Sequence, residues 1–428
     1  MTERLPHLLV VGGGFAGLWA TRALADAPLR ITLVDRHNHH LFQPLLYQVA
    51  TAGLSAPDIA APLRHILRHQ RNVEVRLGDV VALEPAQRCV RLGDGTQLDY
   101  DYLLLASGAA HAYFGNDQWA RHAPGLKTLD DAVRLRRKLL MAFERAEAET
   151  DPQAAAAWLS FAIVGGGPTG VELAGTLAEI AQHTLKNEFR HIDPRLARVR
   201  LIEAGPRVLP SFPPDLTTKA QQHLERLGVE VLTGTPVTHI DEGGFQLGQQ
   251  WVPARTVVWA AGVAASPLGA ALGVPCDRAG RVQVSGDLSV PGHPEIFVGG
   301  DLAAVRRADG QPVPGVAPAA KQMGKHIAHA LHCRLRGQDA PAFVYKDNGN
   351  LATIGRKAAI VHLGKLKLSG LLAWWFWLAA HVWFLIGFRN RFVVLVNWAM
   401  AYWSYQRAAR IIFGEPDAPI EEDPRSWP

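Results

Sequence analysis

The sequence predicts an α/β chain built from two separate βαβ units and followed by an apolar helical tail, and three observations carry that reading. A strand–glycine–helix pattern occurs twice, as LLVVGGGFAG at 8–17 and FAIVGGGPTG at 161–170. Each copy leads, after a helix-like stretch, into a short apolar strand ending in an acid, at 31–35 and again at 199–203. From 368 to 388 no side chain carries a formal charge, and His381 is the one ionisable side chain. The repeat implies two nucleotide sites in one polypeptide. A length of 428 residues accommodates two domains with substantial cores.

The remaining elements follow the same logic. An apolar strand at 102–106 ends in Ser107-Gly108, and one at 256–260 ends in Ala261-Gly262, so the two halves match again. A later strand at 296–298 runs into Gly299-Gly300-Asp301. Helical spacing marks 130–150 and about 319–332, while Pro and Gly clusters at 205–214 and 310–318 read as loops. In the tail, Arg389 and Arg391 separate the uncharged run from a second apolar stretch at 392–405, before Arg407 and Arg410. Six of the twelve tryptophans lie between Trp374 and Trp403, and the end from Gly414 is acidic.

Composition narrows the function. Hydrophobic residues at 48% and charged residues at 19% predict a globular body. A net charge of +5 without a long Lys/Arg run predicts no nucleic-acid partner. A mildly basic surface suits anionic lipid headgroups. Cys89, Cys276 and Cys333 are far apart in sequence, which excludes a local redox pair, a disulfide framework and a metal knuckle, so no metal is expected. The compartment is expected to be reducing. Residues 1–7 are short and polar with no secretory pattern, so the active domains are expected in the cytoplasm.

Gly12, Gly14 and Gly17 form GxGxxG directly after a strand. The first glycine permits the turn, the second admits a pyrophosphate, and the third lets helix and strand pack. The phosphate then meets the free N–H groups of a helix N-terminus. Asp35, 18 residues after Gly17, has the spacing of a ribose-binding acid. Gly165, Gly167 and Gly170 repeat the pattern with Glu203 as the acid, which favours NADH because a carboxylate repels a 2′-phosphate. Arg207, four residues on, leaves mixed NADH/NADPH use open. Gly300-Asp301 assigns the sites: in two-dinucleotide flavoproteins a late strand ending in Gly-Asp serves FAD together with the N-terminal unit. A plain helix N-cap is the other reading of Asp301.

With these segments in place, the chain resembles the type II NADH dehydrogenases, the single-subunit NADH:quinone oxidoreductases, over nearly its whole length. The resemblance rests on VVGGGFAGLWA at 10–20, VDRHNHHLFQPLLYQVAT at 34–51, ASGAAHAYFGNDQW at 106–119 and IVGGGPTGVELAG at 163–175. It continues through VVWAAGV at 257–263, IFVGGDLA at 296–303, APAAKQMGKHIA at 317–328 and FLIGFRNR at 384–391. It implies FAD contacts at Gly13, Phe15, Ala16, Arg36, Ser107, Gly108 and Ala317, and at Gln43, Pro44 and Leu45 in the loop passing the isoalloxazine. Gly262 joins the nucleotide-binding set. Glu172 corresponds to the family's glutamate near nicotinamide and flavin, although an acid near a helix start also suits the helix dipole. Gln322 corresponds to the second glutamine of a paired motif where quinone approaches. The first position is Pro318 here, and hydrogen-bonding backbone alone is the other reading of Gln322.

The expected activity is NADH oxidation by hydride transfer to FAD and reduction of a membrane quinone, without proton pumping, since the tail lacks a chain of ionisable residues. The expected division is 1–115 and 281–340 for FAD, 116–280 for NADH and 341–428 for the membrane. The tail suits either a spanning hairpin or helices lying in the interface. Arginines at the far end of a hairpin oppose the positive-inside tendency, and Asn397 and Ser404 at i, i+7 suit a surface-lying helix; the resembled family is monotopic, so the resemblance implies peripheral attachment, expected on the cytoplasmic face of the inner membrane. A homodimer is compatible with the resemblance. A lipid-free oligomer interface is the competing role for the tail. Three other functions stay open: a reductase of ferredoxin- or rubredoxin-like proteins, a sulfide:quinone oxidoreductase, for which redox cysteines are missing, and a membrane-bound flavin redox sensor.

Overall fold

The computed structural model describes residues 4–385, 388–404 and 409–412. Positions 1–3, part of FLIGFRNR, Tyr405, Arg407 and the acidic end from Gly414 lie outside the described residues. Two compact units form from interleaved segments. The first comprises Met1–Leu41, Ala60–Ala110 and Val263–Asp347; the second comprises Phe42–Ile59, His111–Gly262 and Asn348–Pro428.

The first unit is built on a sheet in the order Ser289–Val290, His293–Val298, Tyr102–Leu105, His7–Val11, Arg30–Asp35, Val73–Leu77. All neighbours are parallel except the first pair. Leu8, Leu9 and Val10 have no exposed surface, which explains a strand apolar on both faces. The first strand lies between the second and the one at Tyr102–Leu105, so the chain order reverses beside it, and ligands of such sheets bind at that crevice. Helices Phe15–Ala23 and Ala317–Leu335 pack closely, because a Cβ on Gly324 would lie 2.2 Å from the Ala16 carbonyl oxygen.

The second unit repeats the plan with parallel strands Val229–Thr233, Arg198–Glu203, Ser160–Val164 and Thr256–Trp259. Helix Leu129–Ala148 starts at a capping box: the Asp131 N–H donates to Thr128 Oγ1 at 3.1 Å and the Thr128 N–H donates to Asp131 Oδ2 at 2.8 Å. The 341–428 region holds more than helices. Strands Asn350–Gly355, Ala358–Leu363 and Leu366–Gly370 form an antiparallel sheet. It packs against helix Pro168–Glu179 so tightly that a Cβ on Gly175 would lie 1.9 Å from the Ile354 carbonyl oxygen.

The uncharged run is therefore divided. Its first residues end a strand, and helix Leu371–Phe384 has 14 residues. At 1.5 Å per residue that is about 21 Å, short of the ~30 Å hydrocarbon core. Helix Phe388–Ser404 follows. Among the described residues no helix is long and apolar enough to cross a membrane.

Candidate functional site

Both glycine turns form as the sequence requires. In the first unit, Gly12 has φ +106°, and a Cβ there would lie 2.4 Å from the Ala106 carbonyl oxygen. Gly17 meets the Gly12 carbonyl, where a Cβ would come within 1.9 Å, so only glycine lets the helix approach the turn. Gly14 is the N-cap of helix Phe15–Ala23 and has open space where its Cβ would be. That open side at a helix N-terminus is the cradle a pyrophosphate needs. Gly108 likewise faces open space, and the neighbouring Ser107 Oγ is buried with no partner, a polar atom that a ligand would satisfy. These features fit a dinucleotide.

The acid at the second strand does more than wait for a ribose. The Gly13 N–H donates to Asp35 Oδ2 at 2.6 Å and the His37 N–H donates to Oδ1 at 2.7 Å. Asp35 thereby fixes the turn while keeping unused lone pairs. His40, which motif reading did not single out, holds the turn from the other side. Its Nδ1–H donates to the Gly13 carbonyl at 3.0 Å, and its ring meets Phe15 edge-on at 4.9 Å. Burial lowers its pKa to about 4, so the ring is neutral at pH 7. Arg36 is exposed.

The same unit holds Gly300, Asp301, Ala317 and Gln322. Gly300 has φ +75° and its N–H points at the Met323 sulfur. Asp301 lies inside the turn Gly300–Leu302, whose N-cap is Gly299, so it is not a helix N-cap. Ala317 opens helix Ala317–Leu335, with Pro318 in its first turn. The Gln322 amide pairs twice with backbone: its Nε2 donates to the Lys346 carbonyl and its Oε1 accepts the Lys346 N–H, both at 2.9 Å.

The second unit mirrors the first turn. Gly165 has φ +116° with a Cβ position 2.6 Å from Ala260 backbone, and a Cβ on Gly170 would lie 1.9 Å from the Gly165 carbonyl oxygen. Gly167 is the open N-cap of helix Pro168–Glu179. Glu203 repeats the role of Asp35, accepting the Gly166 N–H at 2.6 Å and the Gly205 N–H at 2.7 Å. Arg207 donates to the Pro210 carbonyl at 3.2 Å. Gly262 has φ +78° beside the exposed Phe114.

Glu172 lies beyond the first turn of its helix and is buried. Burial raises its pKa well above the ordinary carboxyl value, against a hydrogen bond from the Thr353 backbone. Burial therefore favours its neutral, hydrogen-bonding form, and its place past the first turn takes it away from the helix N-terminal dipole. Gln43, Pro44 and Leu45 form one 3₁₀ turn in this unit, with Gln43 Nε2 donating to the Lys127 carbonyl at 3.3 Å.

The two tail helices present an apolar stripe. Leu372, Trp375, Phe376 and Trp383 are exposed on the first and Phe392, Leu395 and Val396 on the second. Trp374, Trp377, Val394 and Trp398 are buried. Asn397 does not mark a water-facing side: its amide donates to Asp58 Oδ2 at 3.3 Å.

Comparison with known proteins gives the class first. Residues 6–324 match the family described as pyridine nucleotide-disulphide oxidoreductases, and residues 348–404 match the NDH2 C-terminal domain. Two Mycobacterium tuberculosis proteins are similar throughout. The type II NADH:quinone oxidoreductase Ndh is 46% identical, with 94% of this chain and 89% of that protein covered. Its counterpart NdhA is 44% identical, with 95% and 89% covered. The structure of NDH2 from Plasmodium falciparum in complex with NADH shares the fold at a TM-score of 0.87 and 20% identity, covering 96% of this chain and all of that one. The chain belongs to the type II NADH:quinone oxidoreductase family. Despite the broader family's title, Cys89, Cys276 and Cys333 are all free thiols.

Proposed function

We propose that this chain oxidises NADH and reduces a membrane quinone to quinol, using FAD and moving no protons across the membrane. The observation that carries the reading is the pair of phosphate-cradling turns, each with its acid folded back onto the glycine loop, in a chain that ends in an exposed aromatic stripe. Bound FAD supplies the two-electron chemistry that links nicotinamide to quinone. The protein supplies position and electrostatics.

In this reading FAD is held by the first turn, with Gly12, Gly13, Gly14, Phe15, Ala16, Gly17, Asp35 and Arg36, together with Gln43, Pro44, Leu45, Ser107, Gly108, Gly300, Asp301 and Ala317. NADH is held by Gly165, Gly167, Gly170, Glu203 and Gly262. Glu203 disfavours a 2′-phosphate, and Arg207 does little to offset it while committed to Pro210. Glu172, whose neutral form burial favours, orients bound nicotinamide by hydrogen bonding. Gln322 acts by holding the Lys346 backbone at the quinone approach. The functional domains are 1–115 with 281–340 for FAD, 116–280 for NADH, and 341–428 for the membrane.

The membrane attachment we propose is peripheral, on the cytoplasmic side, with the aromatic stripe at the headgroup boundary where Trp is favoured. Scattered free cysteines favour this reading over a sulfide:quinone oxidoreductase. The test is steady-state NADH oxidation by purified protein with a short-chain quinone. Turnover with quinol formed in equal amount supports the reading. Flavin that NADH reduces but quinone does not reoxidise would overturn it in favour of a redox sensor.

A further inference from the structure

The two tail helices grip the segment Phe42–Ile59 at its start, its middle and its end. At the start, the Phe42 ring meets His381 edge-on at 6.2 Å, and His381 stacks on Trp377 at 4.2 Å. In the middle, the Trp398 Nε1–H donates to Gln48 Oε1 at 2.7 Å. An indole N–H can only donate, so this bond fixes the Gln48 amide, whose Nε2 then donates to the Tyr47 hydroxyl at 2.9 Å. At the end, Asn397 donates to Asp58, which also accepts the Ser55 N–H at 2.8 Å. Trp377 and Trp398 pack on each other at 5.4 Å and tie the two helices together.

The gripped segment has little order of its own. Its regular structure is one 3₁₀ turn, a five-residue helix Leu46–Ala50 with no side-chain cap and a four-residue helix Ala56–Ile59, with Ala52 at φ +56° between the helices. Helices this short are marginal without packing, so outside contacts set the orientation of Gln43 to Tyr47. The same tail helices turn Trp375, Trp383 and Phe392 outward and Trp377 and Trp398 inward. One face meets lipid and the other holds the segment.

We propose that the tail is a positioning clamp as well as an anchor, with Trp398 and Gln48 as the positioning residues that aim the Gln43–Tyr47 stretch for quinone turnover. This rests on the function proposed above. Losing the bond leaves either the half-buried Gln48 amide oxygen or the buried Trp398 indole N–H unpaired and loosens the hold of Gln48 on the Tyr47 hydroxyl.

The experiment compares Trp398→Phe, which keeps the ring against Trp377, with Gln48→Leu and the double variant, all as FAD-loaded full chains. Quinone kcat/KM is measured with a water-soluble short-chain quinone, NADH turnover with ferricyanide, and docking by co-sedimentation with anionic vesicles. Each single variant is expected to lose about tenfold in quinone kcat/KM, the cost of an unpaired buried polar group. The double variant should be no worse than the weaker single, because both remove the same bond. Ferricyanide turnover and vesicle binding should stay within about twofold of the parent chain, within the usual scatter of neutral substitutions. Unchanged quinone kcat/KM, multiplicative losses in the double variant, or a parallel fall in ferricyanide turnover would each overturn the clamp. If the unsubstituted chain reduces ferricyanide but no quinone, the proposed function fails, and the clamp with it.

Discussion

Replacing Trp383 by Ser probes the proposed membrane face at its most exposed ring. Trp383 is 73% exposed on helix Leu371–Phe384. A tryptophan side chain carries roughly 200 Å², so Trp383 offers roughly 150 Å² to lipid. Full transfer from water at about 25 cal/mol per Å² would contribute about 3–4 kcal/mol. A ring at the headgroup boundary keeps one edge hydrated, so about half of that is realised. Trp383→Ser should therefore weaken vesicle binding by about 2 kcal/mol, or roughly 30-fold. The assay is flotation with vesicles titrated in lipid concentration. Val81→Ser is the control, an exposed apolar residue on a strand of the first unit, 44% exposed, where no change is expected. Ferricyanide turnover should be unaffected by either variant. Binding of Trp383→Ser within threefold of the parent chain, or an equal loss for Val81→Ser, would refute the assignment of this stripe to lipid.

Three further outcomes follow from the same structure. Gly17→Ala and Gly170→Ala each force a Cβ to within 1.9 Å of backbone, so the first should yield protein without flavin and the second yellow protein that NADH does not reduce, as absorbance would report. Glu172→Gln replaces an acid whose neutral form burial favours by its neutral isostere. Since the raised folded pKa makes native stability fall as pH rises from about 4.5 toward that pKa, the variant should match the parent near pH 4 and melt higher at pH 8. His40 and His381 are both held down to about 4 by burial. Their contribution is present above the unfolded value near 6.5 and is lost as pH falls toward 4, so His381→Phe should flatten the acid limb of the thermal-melt profile.

How much of this was legible in the sequence depends on the range of the constraint. Gly12, Gly17, Gly165 and Gly170 are fixed by backbone geometry within a few residues, so their spacing alone announces both turns. The acids were placed by the same pattern, yet their grip on Gly13 and Gly166 emerges only in three dimensions. The sheet at 350–370 had a signal: short apolar runs broken by Gly355-Arg356-Lys357 and Gly364-Lys365. The uncharged run after it dominated the reading of the tail. Asn397 looked like part of a wet face because its partner, Asp58, is 339 residues away. The Trp398–Gln48 bond spans 350 residues, and no local pattern encodes it. Glu172 is likewise buried by strand Asn350–Gly355, far along the chain, so its protonation was not readable from its own helix.

The measurement closest to the central claim is the flavin absorbance of purified protein under anaerobic conditions, first with NADH and then with a short-chain quinone. The account predicts complete bleaching by one equivalent of NADH and complete recovery on adding one equivalent of quinone. Protein that remains colourless after incubation with FAD, or flavin that stays bleached in excess quinone, would contradict it.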